Sequence, residues 1–311
     1  MDALEQTLLY GFVGTVGFQL ACFAIAYLLQ FDKITDLAGC ANFIALAVLA
    51  ALLAPRPMPT RSAVAVALVC ASRLELGAFL LYRVLKRGKD SRFDAVRGSC
   101  LTFLAFWIWQ MLWVYIVSLS FMFLVADASR VSSGPIGAAD VIGWTTFVLG
   151  FALQAAADLQ KNAFRSNPAN NKKVCTVGVW GYSRHPNFCG EILMWWGMFV
   201  AGLPVFRARH VGYVSVLSPL FTMFVLLAFT GIPQAEGQAA KRWYDGGESQ
   251  AAYEDYFSST PPLWLFPTSL YRRMPLMLKR LLCFELPMYK YKVPSGGLEP
   301  LESGGSESPA T

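Results

Sequence analysis

Between Gly178 and Gly197 the chain reads GVWGYSRHPNFCGEILMWWG, and several of its side chains could do chemistry. Arg184 and His185 precede Pro186; Asn187 and Glu191 follow it. Proline lacks an N–H and suits the first turn of a helix, where that donor would be unpaired anyway. The pattern predicts a helix from Pro186 through Trp195 and Trp196. Its N-terminus offers free N–H groups and a positive dipole to an anion. Arg184 and His185 can add charge-assisted hydrogen bonds at that mouth. Asn187 and Glu191 stand at i and i+4, on one face about one turn inside. An amide beside a carboxylate supplies the donors and acceptors that a carboxamide needs. A polar cap with a snorkelling glutamate accounts for fewer of these groups, since a cap needs one side-chain oxygen.

Four other groups of residues carry chemical potential. Gln154, Asp158, Lys161 and Arg165 recur at steps of three and four, so they stripe one helix face. Asp158 and Arg165 could reach a ribose hydroxyl and a phosphate, or could pair as ions at a helix end. RGKDSRFD (Arg87–Asp94) is dense in base and could hold phosphate or simply flank a membrane span. Ser72, Arg73 and Glu75 interrupt an apolar run, and intramembrane charges point to function or to a buried pair. Glu236, Tyr253 and Tyr256 lie after the last apolar run, the tyrosines within AYEDYFSSTPPLWLFP. They could pack beneath a cofactor ring or clamp the cytosolic face.

The elements that must position these groups are membrane helices. Of 311 residues, 55% are hydrophobic and 15% charged, with mean hydropathy +0.44. A soluble domain carries about 25% charged residues. Apolar stretches at 8–30, 37–54, 63–82, 100–125, 141–159, 188–205 and 211–232 each approach the roughly 20 residues a bilayer requires. The second and sixth are short enough to be tilted, shallow or broken. The expected fold is all-α and polytopic, with about seven transmembrane helices. The first is read as retained and not as a cleaved signal. Lysine and arginine concentrate in the segments around Lys33, Arg83–Arg97, Lys161–Arg184 and Lys241–Lys292. The opposite loops hold Arg56, Arg61, Arg130, Arg207 and Arg209. That asymmetry puts the N-terminus outside and the C-terminus in the cytosol. The net charge of +6 then reflects topology and anionic headgroups, and no nucleic-acid or protein partner is implied. Seven cysteines without CxxC spacing, and two histidines, imply no metal site. Residues 268–292 mix base with Leu, Met and Phe, as an interfacial amphipathic helix does. Residues 293–311 have the composition of a disordered tail.

The run DLQKNAFRSNP from Asp158, then GVWGYSRHPNFCGEILMWWG, then YEDY before a proline, resembles the steroid 5-alpha-reductase C-terminal family. The likeness extends to its poorly characterised branch at SRLELGAFLLYRVLKRGKDSRFD and FWIWQMLWV, covering about Arg61 to Pro267. It sets off 1–60 as N-terminal helices and 61–267 as a reductase-like domain. It implies an NADPH-dependent reductase of a carbon–carbon double bond conjugated to a carbonyl, in a steroid-like or other lipid entering from the bilayer. By that resemblance Asn187 and Glu191 hold the nicotinamide carboxamide. Gln154, Asp158 and Arg165 contact ribose and phosphates, and Tyr182 lines the same pocket. Arg184 and the basic loop meet phosphate. Arg73 and Glu75 contact substrate, and Glu75, Tyr82 and Tyr115 are candidates to polarise the carbonyl. Two positions depart from the pattern: Phe188 stands where tyrosine is usual, and Ser120 where many relatives have proline. The membrane would be endoplasmic reticulum in a eukaryote and inner membrane in a bacterium.

A second family carries a similar element. Membrane methyltransferases of the isoprenylcysteine carboxyl type have an RHP-x-Tyr-x-Gly run, a glutamate at a helix exit and a Tyr-x-x-Tyr clamp, which Glu236, Tyr253 and Tyr256 would supply. Asn187 with Glu191 forms a carboxamide receptor that S-adenosylmethionine does not require, which favours the reductase. A non-enzymatic lipid-binding protein is the remaining alternative.

Overall fold

The computed structural model describes residues 1–54, 56–87, 98–127, 134–171, 173–246 and 250–290. The described residues form helices and no strands. Helices α1 (Ala3–Leu28), α2 (Thr35–Leu53), α3 (Thr60–Arg87), α4 (Cys100–Asp127), α5 (Ala138–Ser166) and α6 (Pro186–Ala208) come first. A composite span follows, from a 3-10 turn (His210–Val216) through α7 (Leu217–Phe224) and a π-turn (Val225–Phe229) into α8 (Ile232–Gly246). Beyond it lie α9 (Gln250–Ser259), α10 (Thr268–Arg273) and α11 (Leu276–Cys283). Seven segments are long and apolar enough to cross a membrane. In hydrocarbon each backbone N–H and C=O must be satisfied internally, which a continuous helix achieves. The chain is an integral multi-pass membrane protein.

The helices match the expected spans, with informative differences. α2 and α6 are unbroken despite their short apolar stretches. α4 also runs unbroken through Ser120, whose hydroxyl donates to the Ser215 carbonyl at 3.0 Å. α5 outruns its apolar stretch to Ser166, so Asp158, Lys161 and Arg165 sit on helix. The expected single helix around 269–289 is divided. Pro275 forces Met274 into extended backbone (ψ 133°), separating α10 from α11. The loop after Arg87, Lys172 and the tail from 291 lie outside the described residues.

α5 and α6 meet along a glycine seam. A Cβ on Gly150 would lie 2.6 Å from the Gly190 carbonyl oxygen, and one on Gly197 2.6 Å from that of Gly143. The partners repeat every seven residues, two helical turns, so they share one face. In a bilayer, where lipid is as apolar as leucine, such close backbone approach is a main source of helix association. Phe43, Val69, Val114, Phe121, Phe147 and Trp195 fill the core between α2, α3, α4, α5 and α6. α1 joins through polar bonds: buried Gln19 donates to Asn42 Oδ1 at 3.0 Å, and Gln110 donates to Gln19 Oε1 at 3.1 Å.

The end of the bundle remote from the α6 N-terminus is closed by ion pairs. Buried Arg61 donates to Asp140 Oδ2 at 2.8 Å. Arg209 bridges Asp127 at 2.7 Å and Asp2 at 2.9 Å. Substituting Gly150→Ala is expected to cost about 1–3 kcal/mol through overpacking, seen as a lower unfolding midpoint in detergent. Gly14→Ala is the control, since its Cβ would meet nothing within 4 Å.

Candidate functional site

Pro186 opens α6, as its missing N–H allows. Ser183, Arg184 and His185, just before it, are buried, and the loop is bonded to the irregular stretch 261–266. Arg184 N donates to the Pro261 carbonyl at 2.9 Å, and Phe266 N to that of Tyr182 at 3.0 Å. Ser183 Oγ donates to the Leu263 carbonyl at 2.7 Å and accepts from His185 N at 3.1 Å. The loop entering α6 is therefore held rigidly from its far side.

Arg184 and His185 point into a polar knot and not out of a mouth. Arg184 is only 3% exposed. Its Nη2 donates to both Glu285 oxygens at 3.0 and 2.8 Å, and its Nε lies 3.3 Å from Glu236 Oε1. Nη1 donates to the Phe257 carbonyl at 3.1 Å, and the guanidinium lies 3.8 Å over the Phe257 ring. Tyr271 donates to Glu285, and Tyr253 donates to Glu236 at 3.2 Å. His185 Nε2 is 3.0 Å from Glu236 Oε1, and its ring stacks on Phe188 at 5.3 Å. Burial pushes the imidazole below its ordinary pKa, so it is neutral at pH 7 and Nε2–H is the donor. Two carboxylates buried at one helix entrance need a cation, and Arg184 supplies it. Tyr256 donates to the Trp180 and Ser183 carbonyls at 2.7 and 3.2 Å, bracing the same loop.

One turn inside, the second centre joins α3 to α6. Arg73, 3% exposed, grips Glu191 with Nη1–Oε1 and Nη2–Oε2 both at 3.0 Å. Trp195 Nε1 donates to Oε1 at 2.7 Å. The guanidinium lies 5.4 Å from the Phe43 ring centroid and 5.5 Å from that of Trp195. A carboxylate has about four acceptor positions. Arg73 and Trp195 fill two on Oε1 and one on Oε2, leaving one on Oε2 open. Asn187, on the same face, keeps a buried Oδ1 that accepts no hydrogen bond. Gln154 lies against α6 at Gly190, where a Cβ would be 2.9 Å from the Gln154 Cβ.

α3 and α5 present further polar groups near the same end. Glu75, Tyr82 and Lys86 fall at steps of seven and four, on one stripe of α3. Lys86 turns that stripe toward α5, donating to Ser166 Oγ at 3.0 Å and to the Tyr82 hydroxyl at 3.4 Å. Glu75 and Asp158 are part-buried with no hydrogen bond or ion pair to the described residues. Lys161 lies 3.8 Å over Trp180, and Arg165 donates to the Lys173 carbonyl at 3.2 Å. Tyr182 is exposed at the loop. Tyr115 stands apart from this centre: its hydroxyl donates to the Leu8 carbonyl at 3.0 Å, in the α1–α4 joint.

Sequence reasoning missed Glu285 and Tyr271, which complete the Arg184 knot. Glu285 lies 101 residues from Arg184, and no local spacing links the two. It also missed Trp195 as a donor, although Trp195 stands four residues after Glu191, where an indole can reach back.

Residues 22–260 match the model of a family described as "Protein of unknown function (DUF1295)", so the chain belongs to that family. Part of it is similar to Delta(14)-sterol reductases. With ERG24A of Gibberella zeae it shares 34% identity over 101 residues, covering 28% of this chain and 20% of the relative. With the Delta(14)-sterol reductase LBR of Gallus gallus it shares 33% over 99 residues, covering 27% and 15%. With erg24 of Schizosaccharomyces pombe it shares 33% over 86 residues, covering 22% and 20%. The chain thus spans a fifth or less of the length of these relatives. No solved structure matches it.

Removing the cation from the knot should be severe. Arg184→Met leaves Glu236 and Glu285 buried without their shared partner, at a cost of about 3–5 kcal/mol. Chemical unfolding in detergent measures it; an unchanged midpoint would show that the two carboxylates reach water.

Proposed function

We propose, on the premise of that family membership, that the protein is a membrane-embedded, NADPH-dependent reductase of a carbon–carbon double bond conjugated to a carbonyl in a lipid-like substrate. The partial similarity to sterol reductases supports a membrane reductase. The observation that carries the site assignment is the face formed by Asn187 and Glu191. A buried amide oxygen without a hydrogen bond is costly, and here it lies one turn from an open acceptor position on Glu191 Oε2. Two N–H groups of one carboxamide would satisfy both, and Asn187 Nδ2 could donate to its carbonyl oxygen. The donor set therefore fits a nicotinamide carboxamide.

In this reading the chain's residues bind and orient. Arg73 and Trp195 hold the Glu191 carboxylate fixed in direction. Gln154 and Asp158 lie on the α5 stripe that would meet the ribose, with Lys161 and Arg165 toward the phosphates. Arg184, His185, Glu236, Tyr253 and Tyr256 brace the α6 entrance from behind. NADPH, when bound, supplies the hydride. Glu75 and Tyr82 share the α5-facing stripe of α3, where a proton donor could polarise a substrate carbonyl; charge developing on that oxygen needs such a donor. The methyltransferase alternative needs Glu236 and the tyrosines available to a ligand. Glu236 instead accepts from His185 and Tyr253, and Tyr256 donates to backbone.

Thermal stability of the detergent-purified protein with NADPH, NADH and S-adenosylmethionine tests the proposal. NADPH at a hundred times its Kd should add about 2.7 kcal/mol of stability. Asn187→Ala leaves the Arg73–Glu191 pair intact and should weaken NADPH about tenfold to a hundredfold, the loss of two buried hydrogen bonds. Stabilisation by S-adenosylmethionine alone, or unaltered NADPH binding by Asn187→Ala together with Glu191→Gln, would overturn it.

A further inference from the structure

The arm from 268 to 290 turns an apolar face away from the bundle, and none of the described residues covers it. On α11, Met277 is 72% exposed and Leu281 64%, and they stand one turn apart. Leu276 and Leu282 are exposed beside them, and Met288 follows. The opposite side of α11 faces inward: Cys283 is buried, and Lys279 lies 4.3 Å over the Tyr271 ring while donating to the Ser258 carbonyl at 3.3 Å. The outward leucines and methionines are therefore not the remains of a packed side. Soluble surfaces rarely gather so many large apolar side chains in one patch.

The arm's cations divide in the same way. Arg272 pairs with Asp255 at 2.9 Å, back against the protein. Arg273, Arg280 and Lys290 are exposed, with no acidic partner among the described residues. Apolar side chains flanked by free cations suit the boundary between acyl chains and anionic headgroups.

The position of the arm is fixed. Glu285 is tied to Arg184, two residues before α6 begins, and Tyr289 donates to the Leu227 carbonyl of the last span at 2.6 Å. Phe284, at φ 58°, takes the left-handed conformation that ends α11 and reverses the chain toward Glu285. The apolar face is thereby held at the end of the bundle where α6 starts.

We propose that residues 268–290 form a lipid-binding arm lying in the membrane interface at this end, with Met277 and Leu281 in the acyl boundary and Arg273, Arg280 and Lys290 on anionic headgroups. The occupant is the protein's own bilayer, continuous with the lipid around its spans. The inference is independent of the reductase reading.

Hydrogen exchange of 276–283 in the full chain tests it, in nanodiscs of phosphatidylcholine with and without phosphatidylglycerol. Each basic residue near an anionic surface strengthens attachment about fivefold. Exchange should therefore be at least about tenfold slower with phosphatidylglycerol, and salt should abolish the difference. Replacing Arg273, Arg280 and Lys290 by Gln should remove the lipid-charge effect, and Met277→Asp with Leu281→Asp should speed exchange in both discs. The salt titration on the unaltered chain keeps the test decisive if a variant does not fold. Exchange indifferent to lipid charge and salt would overturn the proposal. So would protection appearing only with two copies per disc, which would make the face a contact between copies of this chain.

Discussion

A fully buried carboxylate among apolar helices is costly without a cation beside it, and Arg73 is the cation beside Glu191. The pair is bidentate, buried and roofed by two aromatic rings. Breaking such a pair costs far more than its net contribution to stability, because either partner alone is an uncompensated charge. Much else follows from keeping it together. α3 must hold Arg73 within side-chain reach of α6, and Phe43 of α2 must stack on Trp195, at 5.5 Å. The glycine seam then brings α5 close enough for Gln154 to lie against Gly190. The candidate face on α6 is thus set by contacts from three other helices.

The two centres at this end of the bundle divide their work by depth. The outer knot around Arg184 is closed on itself: its carboxylates are held by Arg184, His185, Tyr253 and Tyr271, although Arg184 Nε, 3.3 Å from Glu236 Oε1, makes no hydrogen bond. The inner centre is not, since Asn187 Oδ1 is unpaired. A closed network rigidifies, whereas a buried polar atom left open is unfavourable until something fills it. Rigidity behind and open valence in front is the arrangement expected of a binding face on a helix entrance.

The spans, and the helix opened by Pro186, were legible in the sequence because hydropathy and proline chemistry act locally. The i, i+4 relation of Asn187 to Glu191 was legible for the same reason. Arg73 was visible as a charge out of place, but its partner was not, because 118 residues separate it from Glu191. Arg184 shows the limit more sharply. Beside His185 and a helix N-terminus it reads as an anion contact, yet Glu236 and Glu285 arrive from distant segments and take it. Local pattern gives a residue's capacity; which partner occupies that capacity is decided by tertiary packing. Gly143, Gly150, Gly190 and Gly197 carried a seven-residue period that could have revealed the seam.

The dependence of Arg184 on Glu285 changes what the end of the chain means genetically. A stop codon after α9 would spare all seven spans, Glu191 and Arg73, and by position would look benign. It would nevertheless remove Glu285 and Tyr271, leaving the guanidinium two residues before α6 with half its counter-charge. Such an allele would damage the entrance of α6 from roughly a hundred residues away in the gene, while leaving every residue of that entrance unchanged.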